Sequence, residues 1–354
     1  MEFKLEGIRR ILETKRLDAL LITNAQNRQY ISNFVGTAGT LLVTQREALL
    51  ATDFRYVEQA SKQTSGFEII KSNGWDWLPQ AISKLSLKTV GFESTDLSVH
   101  SFEKVKESLL QIKSNPGPLL VPTVDIVETL RTIKAGEEIS ALQQSIDISD
   151  QAMDSVCPTI YAGLTEREVA WRMEKAMREY GADSKSFDTI VARGPNSAMP
   201  HHRASDDIIQ LGDPVVIDMG ALRNGYCSDI TRTIFVGDPD DKFKKIYDLV
   251  LSAQLTAIET MQPGMTGQTG DSLARTVLNE AGYGDYFGHS LGHGIGLDVH
   301  ELPRLSPNSQ DVISENMVFS VEPGIYISGW GGVRIEDLVI LTKDGARQLS
   351  KAKK

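Results

Sequence analysis

Residues 215–235 read VVIDMGALRNGYCSDITRTIF, which is two strand-like runs joined by a tight-turn sequence. If Arg223-Asn224 forms the loop, Asp218 lies directly opposite Asp229. If Asn224-Gly225 forms it, the pairing moves by two residues and the two aspartates become diagonal neighbours. Because side chains alternate with a period of two along a strand, both registers put the two carboxylates on the same face. This stretch therefore predicts an antiparallel hairpin that carries an acidic pair.

Residues 317–341 repeat this pattern, with strand-like runs on both sides of the glycine-rich segment SGWGG. Glu322 and Glu336 are symmetric about Gly329, so a hairpin centred there places them side by side. The ordinary explanation for a strand carboxylate is a solvated position. Two symmetric pairs among Val, Ile and Phe neighbours favour another explanation, because four converging carboxylates would be costly without a cation.

The histidines are concentrated in the same half of the chain, between residues 201 and 300. The segment 288–296, GHSLGHGIG, holds too many glycines for a stable helix, so we expect a loop that delivers one imidazole to the acidic cluster. One imidazole with four carboxylates is a ligand set suited to Mn²⁺, Co²⁺ or Zn²⁺. Four carboxylates also balance the charge of two divalent ions. Two ions about 3.5–4 Å apart can hold a water between them and make it nucleophilic near neutral pH.

The length of 354 residues indicates two domains, since a single core rarely grows this large. The first 120 residues or so alternate helix-like and strand-like pieces, which predicts an α/β layer with a mixed sheet. The helix-like pieces are 6–15 and 98–111, and the strand-like pieces are 18–23, 39–44, 48–52 and 89–92. Ser114-Asn-Pro-Gly-Pro118 is the strongest boundary signal, because proline and glycine interrupt both kinds of element. We place the join near residue 125.

Composition limits the classes of partner. A formal net charge of −10 argues against nucleic acid or an anionic membrane, since both are polyanions. No run of 18 or more apolar residues is present, and no signal peptide is visible at the N-terminus. The two cysteines, Cys157 and Cys227, have no CxxC partner and fit a reducing compartment. These observations predict a cytoplasmic protein.

Five motifs in order resemble those of the pita-bread metallopeptidases: VIDMG with Asp218, SDITRT with Asp229, GHGIGLDVHE with His293 and His300, VEPGIY with Glu322, and VRIED with Glu336. The chain is most similar to the proline-specific branch, Xaa-Pro dipeptidase (prolidase) and aminopeptidase P. The resemblance implies an α/β (α+β) protein with a creatinase-type N-terminal domain over residues 1–125 and a pita-bread catalytic domain over 126–354. It also implies a homodimer and small peptide substrates with proline at the second position.

The same resemblance implies a set of metal ligands for two divalent ions per subunit, with Mn²⁺ expected and Co²⁺ or Zn²⁺ as alternatives. Asp218 would chelate one ion, whereas His293 and Glu322 would bind the other. Asp229 and Glu336 would bridge the two ions. Glu322 is also the candidate for receiving the proton of the bridging water.

Three histidines are implied at the substrate. His201 maps to a substrate-site histidine, His300 to one that polarises the scissile carbonyl or the oxyanion, and His289 to a further one nearby. His202 is expected to be solvated, because it would point to the opposite side of an extended segment. Phe187 is a candidate to line the pocket for the residue before proline, with a core position as the alternative.

Two arginines bear on substrate length. A dipeptidase must bind the free carboxylate next to proline, for which a guanidinium is well suited. Arg304, in the pattern HELPR, resembles the arginine of prolidases and favours the dipeptidase over aminopeptidase P. Arg334 shares a strand face with Glu336 and is expected to orient a ligand or substrate.

Two further alternatives are open at the level of the sequence. A creatinase-type C–N hydrolase has this fold without metals, and a non-catalytic pita-bread module would serve as a protein-binding scaffold. The complete set of five ligand positions argues against both.

Overall fold

The structure is a computed structural model that describes residues 2–112 and 117–354. Contacts divide the chain into two compact units, Met1–Arg131 and Thr132–Lys354. Residues 114–116 of the predicted boundary segment lie outside the described residues. The join near residue 125 stays a prediction.

The first unit is built on a mixed sheet whose strands lie in the order β4-β3-β2-β1-β5-β6. Neighbouring strands β1–β2 and β2–β3 are antiparallel, whereas β1–β5, β5–β6 and β3–β4 are parallel. The central strands are runs of Leu, Val and Ala that are buried almost throughout. The predicted α/β layer with a mixed sheet is therefore confirmed. Its elements are α1 (Glu2–Lys15), β1 (Ala19–Ile22), α2 (Ala25–Ser32), β2 (Thr40–Thr44), β3 (Ala48–Thr52), α3 (Val57–Gln63), β4 (Glu68–Lys71), α4 (Trp77–Leu85), β5 (Thr89–Glu93), α5 (Val99–Leu109), β6 (Leu119–Thr123) and α6 (Ile126–Arg131).

The second unit contains four long helices and a set of strands that pair antiparallel in every ladder the structure describes. Its elements are α7 (Gly136–Val156), α8 (Glu166–Glu179), β7 (Ser184–Lys185), β8 (Ile190–Arg193), β9 (Pro214–Met219), β10 (Ala221–Arg223), β11 (Tyr226–Cys227), β12 (Ile230–Phe235), α9 (Asp241–Thr260), α10 (Gly267–Glu280), β13 (Gly292–Gly294), β14 (Glu301–Leu305), β15 (Val318–Val321), β16 (Gly324–Ile327), β17 (Gly331–Arg334), β18 (Asp337–Thr342) and β19 (Gly345–Gln348). Among the described residues, no helix is both long and apolar enough to cross a membrane.

The second unit repeats one arrangement twice. Helices α7 and α8 share a buried core with β8, β9 and β12, and α9 and α10 share one with β15 and β18. Met153, Val169 and Ile217 belong to the first core, and Ile246, Leu278 and Phe319 to the second. Each helix pair covers one face of its strands, so the opposite face is where both acidic hairpins can meet.

The sequence allows two registers for the first hairpin, and the structure has the one in which Asp218 and Asp229 are diagonal neighbours. Asp218 pairs with Thr231, and Arg223 pairs with Tyr226. Asn224-Gly225 is therefore the loop, with φ values of 52° and 83°. Positive φ at both loop residues is what a type I′ turn requires, and Asn-Gly provides it at low cost. Asp218 and Asp229 are consequently diagonal neighbours on one face.

The second hairpin has the predicted symmetry about Gly329. Gly324 pairs with Arg334 on one side of the acidic residues, and Val321 pairs with Asp337 on the other. Glu322 and Glu336 lie between these two pairs of partners, where the ladder is interrupted and their amides donate to the Leu291 and Thr231 carbonyls.

Gly220, which separates β9 from β10, fixes how closely the strands of the first hairpin approach. A Cβ at this position would overlap the Ser228 carbonyl oxygen and the Ser186 hydroxyl. We predict that Gly220→Ala destabilises the fold by about 1–3 kcal/mol or more, because backbone has to move to admit the methyl group. Thermal denaturation measures this effect.

Gly136→Ala is the matched control, since a Cβ there meets no atom within 4 Å. Its melting temperature should stay equal to that of the wild type or rise slightly, because Gly136 begins a helix. Equal melting temperatures for the two variants would contradict the packing argument.

Candidate metal centre

The first acidic pair lies at the meeting point of β9 and β12. Asp218 is near the end of β9, and the buried Asp229 directly precedes β12. Asp218 Oδ2 accepts a hydrogen bond from Arg334 Nη2 at 2.7 Å. Asp218 Oδ1 is buried and has no hydrogen-bond partner among the described residues.

The second pair is joined to the first through Thr231, the cross-strand partner of Asp218. Thr231 Oγ1 donates to Glu336 Oε2 at 2.8 Å, and the Glu336 amide donates to the Thr231 carbonyl at 3.1 Å. Glu336 is 1% exposed, and its Oε1 also lacks a hydrogen-bond partner in the described part of the chain. The two hairpins therefore present their carboxylates to one shared volume.

His293 supplies the nitrogen that the sequence predicts. The glycine-rich segment is not helical, as expected, but His293 lies on the short strand β13 and not in a loop. Gly292 and Gly294 lie against the Ser320 and Leu302 carbonyls, which leave no room for a Cβ. His293 Nδ1 lies 3.0 Å from the Gly294 carbonyl and is assigned as the donor. Nε2 faces the acids, 3.3 Å from Glu322 Oε1 and 3.6 Å from Asp229 Oδ2. A protonated ring donates to Glu322 there, and a metal ion would take the place of that proton.

These positions fit divalent metal ions. One ligand atom each from Asp229, His293 and Glu336 lie within 4.8 Å of one another. The two buried oxygens without partners, on Asp218 and Glu336, are acceptors that a cation would satisfy. Carboxylate oxygens with one imidazole match first-row divalent ions more closely than a thiolate set would.

The protonation of the acids reflects their crowding. Burial, followed by repulsion from neighbouring carboxylates, raises the pKa of Asp229 and of Glu336 well above the ordinary range. Burial acts in the same direction on Glu322, but the hydrogen bond and charge of His293 lower its pKa to about 2. Without cations, the cluster therefore favours protons on some carboxyl groups, and a metal ion would displace them.

The predicted substrate histidines surround this cluster. The ring of His300 packs edge-on against that of His293, with centroids 4.3 Å apart. His289 Nδ1 lies 2.8 Å from the Ser290 carbonyl, and Nε2 lies 2.8 Å from Tyr326 Oη. Burial lowers the pKa of His289 and of His300, which favours neutral rings. The side chain of His201 is exposed.

The remaining predicted residues occupy three different environments. Arg334 is buried and connects Asp218 with Tyr326, to which its Nη1 donates at 3.0 Å. Arg304 is exposed and is the direct cross-strand partner of His293. The Phe187 ring is half-buried and lies against the backbone at Gly220, two residues beyond Asp218.

One prediction about this region is wrong. His202 is not solvated, because its side chain is only 13% exposed and its Nε2 lies 2.7 Å from the buried Glu166 carboxylate. The alternation argument fails here because the residues that precede His202 form a turn and not an extended strand.

Sequence reasoning also missed two site residues, Thr231 and Tyr326. Each lies an even number of positions from a predicted ligand, Thr231 two beyond Asp229 and Tyr326 four beyond Glu322. The period of two along a strand was therefore a signal that could have found both.

Residues 140–343 match Metallopeptidase family M24, and residues 4–133 match the Creatinase/Prolidase N-terminal domain. The chain belongs to Metallopeptidase family M24, so the predicted two-domain fold and enzyme class are confirmed. As a member of a metallopeptidase family, it is a divalent-metal enzyme.

Individual relatives cover the whole chain. An Xaa-Pro dipeptidase of Pyrococcus furiosus is 42% identical over 358 residues, which are 100% of this chain and 99% of that protein. The structure of an Xaa-Pro dipeptidase from Bacillus anthracis has a TM-score of 0.96 at 45% identity, covering 100% of this chain and 98% of that one. An X-Pro aminopeptidase structure from Thermotoga maritima has a TM-score of 0.89 at 38% identity, covering 99% and 98%.

We predict that saturating Mn²⁺ raises the melting temperature of the wild-type protein by about 5–10 °C at a hundredfold excess over Kd. A chelator should reverse this shift, because the carboxylates then face one another without counter-charge. Asp229→Ala removes a predicted bridging ligand, so its melting temperature should respond little to Mn²⁺. Differential scanning fluorimetry measures both proteins.

Asp344→Ala, in an exposed turn of the same unit, should keep the wild-type response. If Asp229→Ala also keeps it, Asp229 does not bind metal.

Proposed function

We propose that the protein hydrolyses the peptide bond before proline in small peptides, as an Xaa-Pro dipeptidase. The observation that carries this proposal is the convergence of Asp229, His293 and Glu336 within 4.8 Å, in a chain of this family. The names of the relatives from Pyrococcus furiosus and Bacillus anthracis support the choice of substrate class.

The metal ligands we propose are Asp218, Asp229, His293, Glu322 and Glu336. They would hold two divalent ions, with Mn²⁺ expected and Co²⁺ or Zn²⁺ as alternatives. When bound, such ions lower the pKa of a coordinated water and polarise a carbonyl oxygen.

The protein's own residues would handle the proton and the developing charge. Glu322 lies 3.3 Å from His293 Nε2 and would share an ion with it, which would keep its carboxylate ionised and able to accept the proton of the attacking water. The same proton can then pass to the proline nitrogen as the C–N bond breaks. His300 is neutral at neutral pH and retains one ring N–H, which can donate to the scissile oxygen as negative charge develops there.

His201, His289 and Phe187 would bind the substrate around that centre. The Nε2 of His289 is occupied by Tyr326, so His289 contributes through its ring face and by holding Tyr326 in place. Phe187 lies beside the backbone that follows Asp218 and would contact the residue before proline.

The preference for dipeptides rests on Arg304. His293 and Arg304 are direct cross-strand partners, so their side chains project from the same face of the β13–β14 ladder. A guanidinium on that face can bind the free carboxylate of proline through paired donors. Creatinase-type hydrolysis and a non-catalytic role remain weaker proposals, because both leave the converging ligands without a function.

Aminopeptidase P activity is the second candidate. Two observations favour it: the similarity to the X-Pro aminopeptidase of Thermotoga maritima, and the exposure of Arg304, whose side chain is not enclosed by the protein. A homodimer, a cytoplasmic location and the domain bounds 1–125 and 126–354 stay predictions from the sequence.

We expect Arg304→Ala to raise KM for Ala-Pro about tenfold or more, because it removes a charge-assisted interaction worth on the order of 1.5–3 kcal/mol. Hydrolysis of Ala-Pro-Ala should change much less, since its proline carbonyl carries no charge. Arg304→Lys should recover only part of the loss, because an ammonium lacks the paired donors. The measurement is kcat/KM for both peptides with each protein after loading with Mn²⁺.

Arg347→Ala serves as the control, since Arg347 is also an exposed strand arginine but lies on β19. Equal losses for dipeptide and tripeptide, or no change for either, would rule out the carboxylate clamp and favour aminopeptidase P.

A further inference from the structure

Glu166 is a fully buried carboxylate that lies outside the metal centre. It is the first residue of α8, and its exposed fraction is 0%. A buried carboxylate is tolerated only when its oxygens are well provided with donors. The partners of Glu166 therefore indicate what it holds in place.

Within residues 2–112 and 117–354, five donors reach the Glu166 carboxylate, and all come from one segment. Oε1 accepts from the Arg193 amide and from Asn196 Nδ2, both at 2.9 Å. Oε2 accepts from His202 Nε2 at 2.7 Å, and from the Ser205 amide and hydroxyl at 2.9 and 2.7 Å. We call residues 193–205, which join β8 towards β9, the histidine loop, because it carries His201 and His202.

The other side of the histidine loop contacts the second acidic hairpin. Ser197 Oγ accepts from the Gly332 amide at 2.7 Å, and a Cβ on Gly332 would overlap the Ser197 carbonyl. The Pro200 carbonyl accepts from Arg334 Nη1 at 3.4 Å. The histidine loop is thus bound by Glu166 on one side and by the hairpin of Glu322 and Glu336 on the other.

His201 lies between these two attachments but makes no hydrogen bond of its own within the described residues. The residue before it, Pro200, accepts from Arg334, which also binds Asp218, so the backbone that carries His201 is attached to the metal centre. Because the His201 side chain is exposed and has no hydrogen-bond partner among the described residues, the backbone that carries it determines where it points. That backbone is held by the neighbouring residues His202 and Ser205.

We propose that Glu166 is a positioning residue for the reaction: by binding His202 and Ser205 it holds the backbone that directs His201 towards the substrate. This inference rests on the proposed function, since His201 is assigned to an Xaa-Pro substrate. Among the described residues, the Glu166 side chain makes no hydrogen bond to a proposed metal ligand, so its effect on the reaction would pass through the histidine loop that carries His201.

A double-mutant cycle tests this coupling. Glu166→Gln keeps the shape of the side chain, but its NH2 group cannot accept a hydrogen bond, so the donors of the histidine loop at one of the two ends lose their acceptor. We expect it to lower kcat/KM for Ala-Pro about tenfold in the wild-type background and less than about twofold in the His201→Ala background. Metal content should stay at the wild-type level. Equal fold losses in the two backgrounds would show a general structural effect and overturn the proposal.

Glu168→Gln is the matched control on the same helical turn. Glu168 is exposed and accepts from the Thr165 amide and hydroxyl, not from the histidine loop. Its kcat/KM should remain within about twofold of the wild type. A tenfold loss here would mean that damage to the start of α8, and not release of the loop, explains the effect.

A second variant covers the case in which Glu166→Gln does not fold. His202→Ala removes one of the five donors, so we expect a loss of about threefold that disappears in the His201→Ala background. Persistence of the full loss in that background would overturn the proposal.

Hydrogen exchange separates this proposal from the proposed function. In Glu166→Gln, amides of residues 194–205 should exchange faster, while those around Asp218 and His293 keep the wild-type rates. Unchanged exchange in 194–205 would overturn the role of Glu166 whatever the substrate is. Failure of the wild-type protein to cleave any Xaa-Pro dipeptide, with faster exchange in the variant, would instead remove the proposed function and with it the assignment of His201.

Discussion

Four carboxylates brought into one buried volume are the constraint on which the second unit depends. Each hairpin contributes two, and burial together with mutual repulsion drives the pKa of Asp229 and Glu336 upward. Such a cluster opposes folding unless cations or protons neutralise it. The rest of the unit keeps these groups together. Two helix pairs cover the outer faces of the strands. Each acid either belongs to a paired strand or directly adjoins a paired residue.

Two threonines of β12, Thr231 and Thr233, connect the two hairpins by direct hydrogen bonds. Thr231 bonds Glu336 through both its backbone carbonyl and its hydroxyl. Two residues on, the Thr233 hydroxyl donates to the Arg334 carbonyl and accepts from the Arg334 amide. Arg334, which is 3% exposed, in turn donates from its guanidinium to the Asp218 carboxylate. One cation of the protein thus offsets part of the charge of the four acids. When the four carboxylates are ionised, their net charge together with Arg334 is negative, which favours the binding of divalent ions.

Much of this arrangement follows from the sequence because strands have a period of two. The symmetry of Glu322 and Glu336 about Gly329, and the shared face of Asp218 and Asp229, depend only on counting. The choice of Asn224-Gly225 as the loop depends on turn energetics, which the sequence left open. The bond from His202 to Glu166 could not be derived, because it joins a turn to a helix start 36 residues away. No local periodicity relates two such segments.

Anomalous X-ray scattering from crystals grown with Mn²⁺ tests the central claim most directly. The account predicts two manganese peaks about 3.5–4 Å apart, ligated by Asp218, Asp229, His293, Glu322 and Glu336. Peaks elsewhere in the protein, or an acidic cluster that stays free of manganese at saturating concentration, would contradict it.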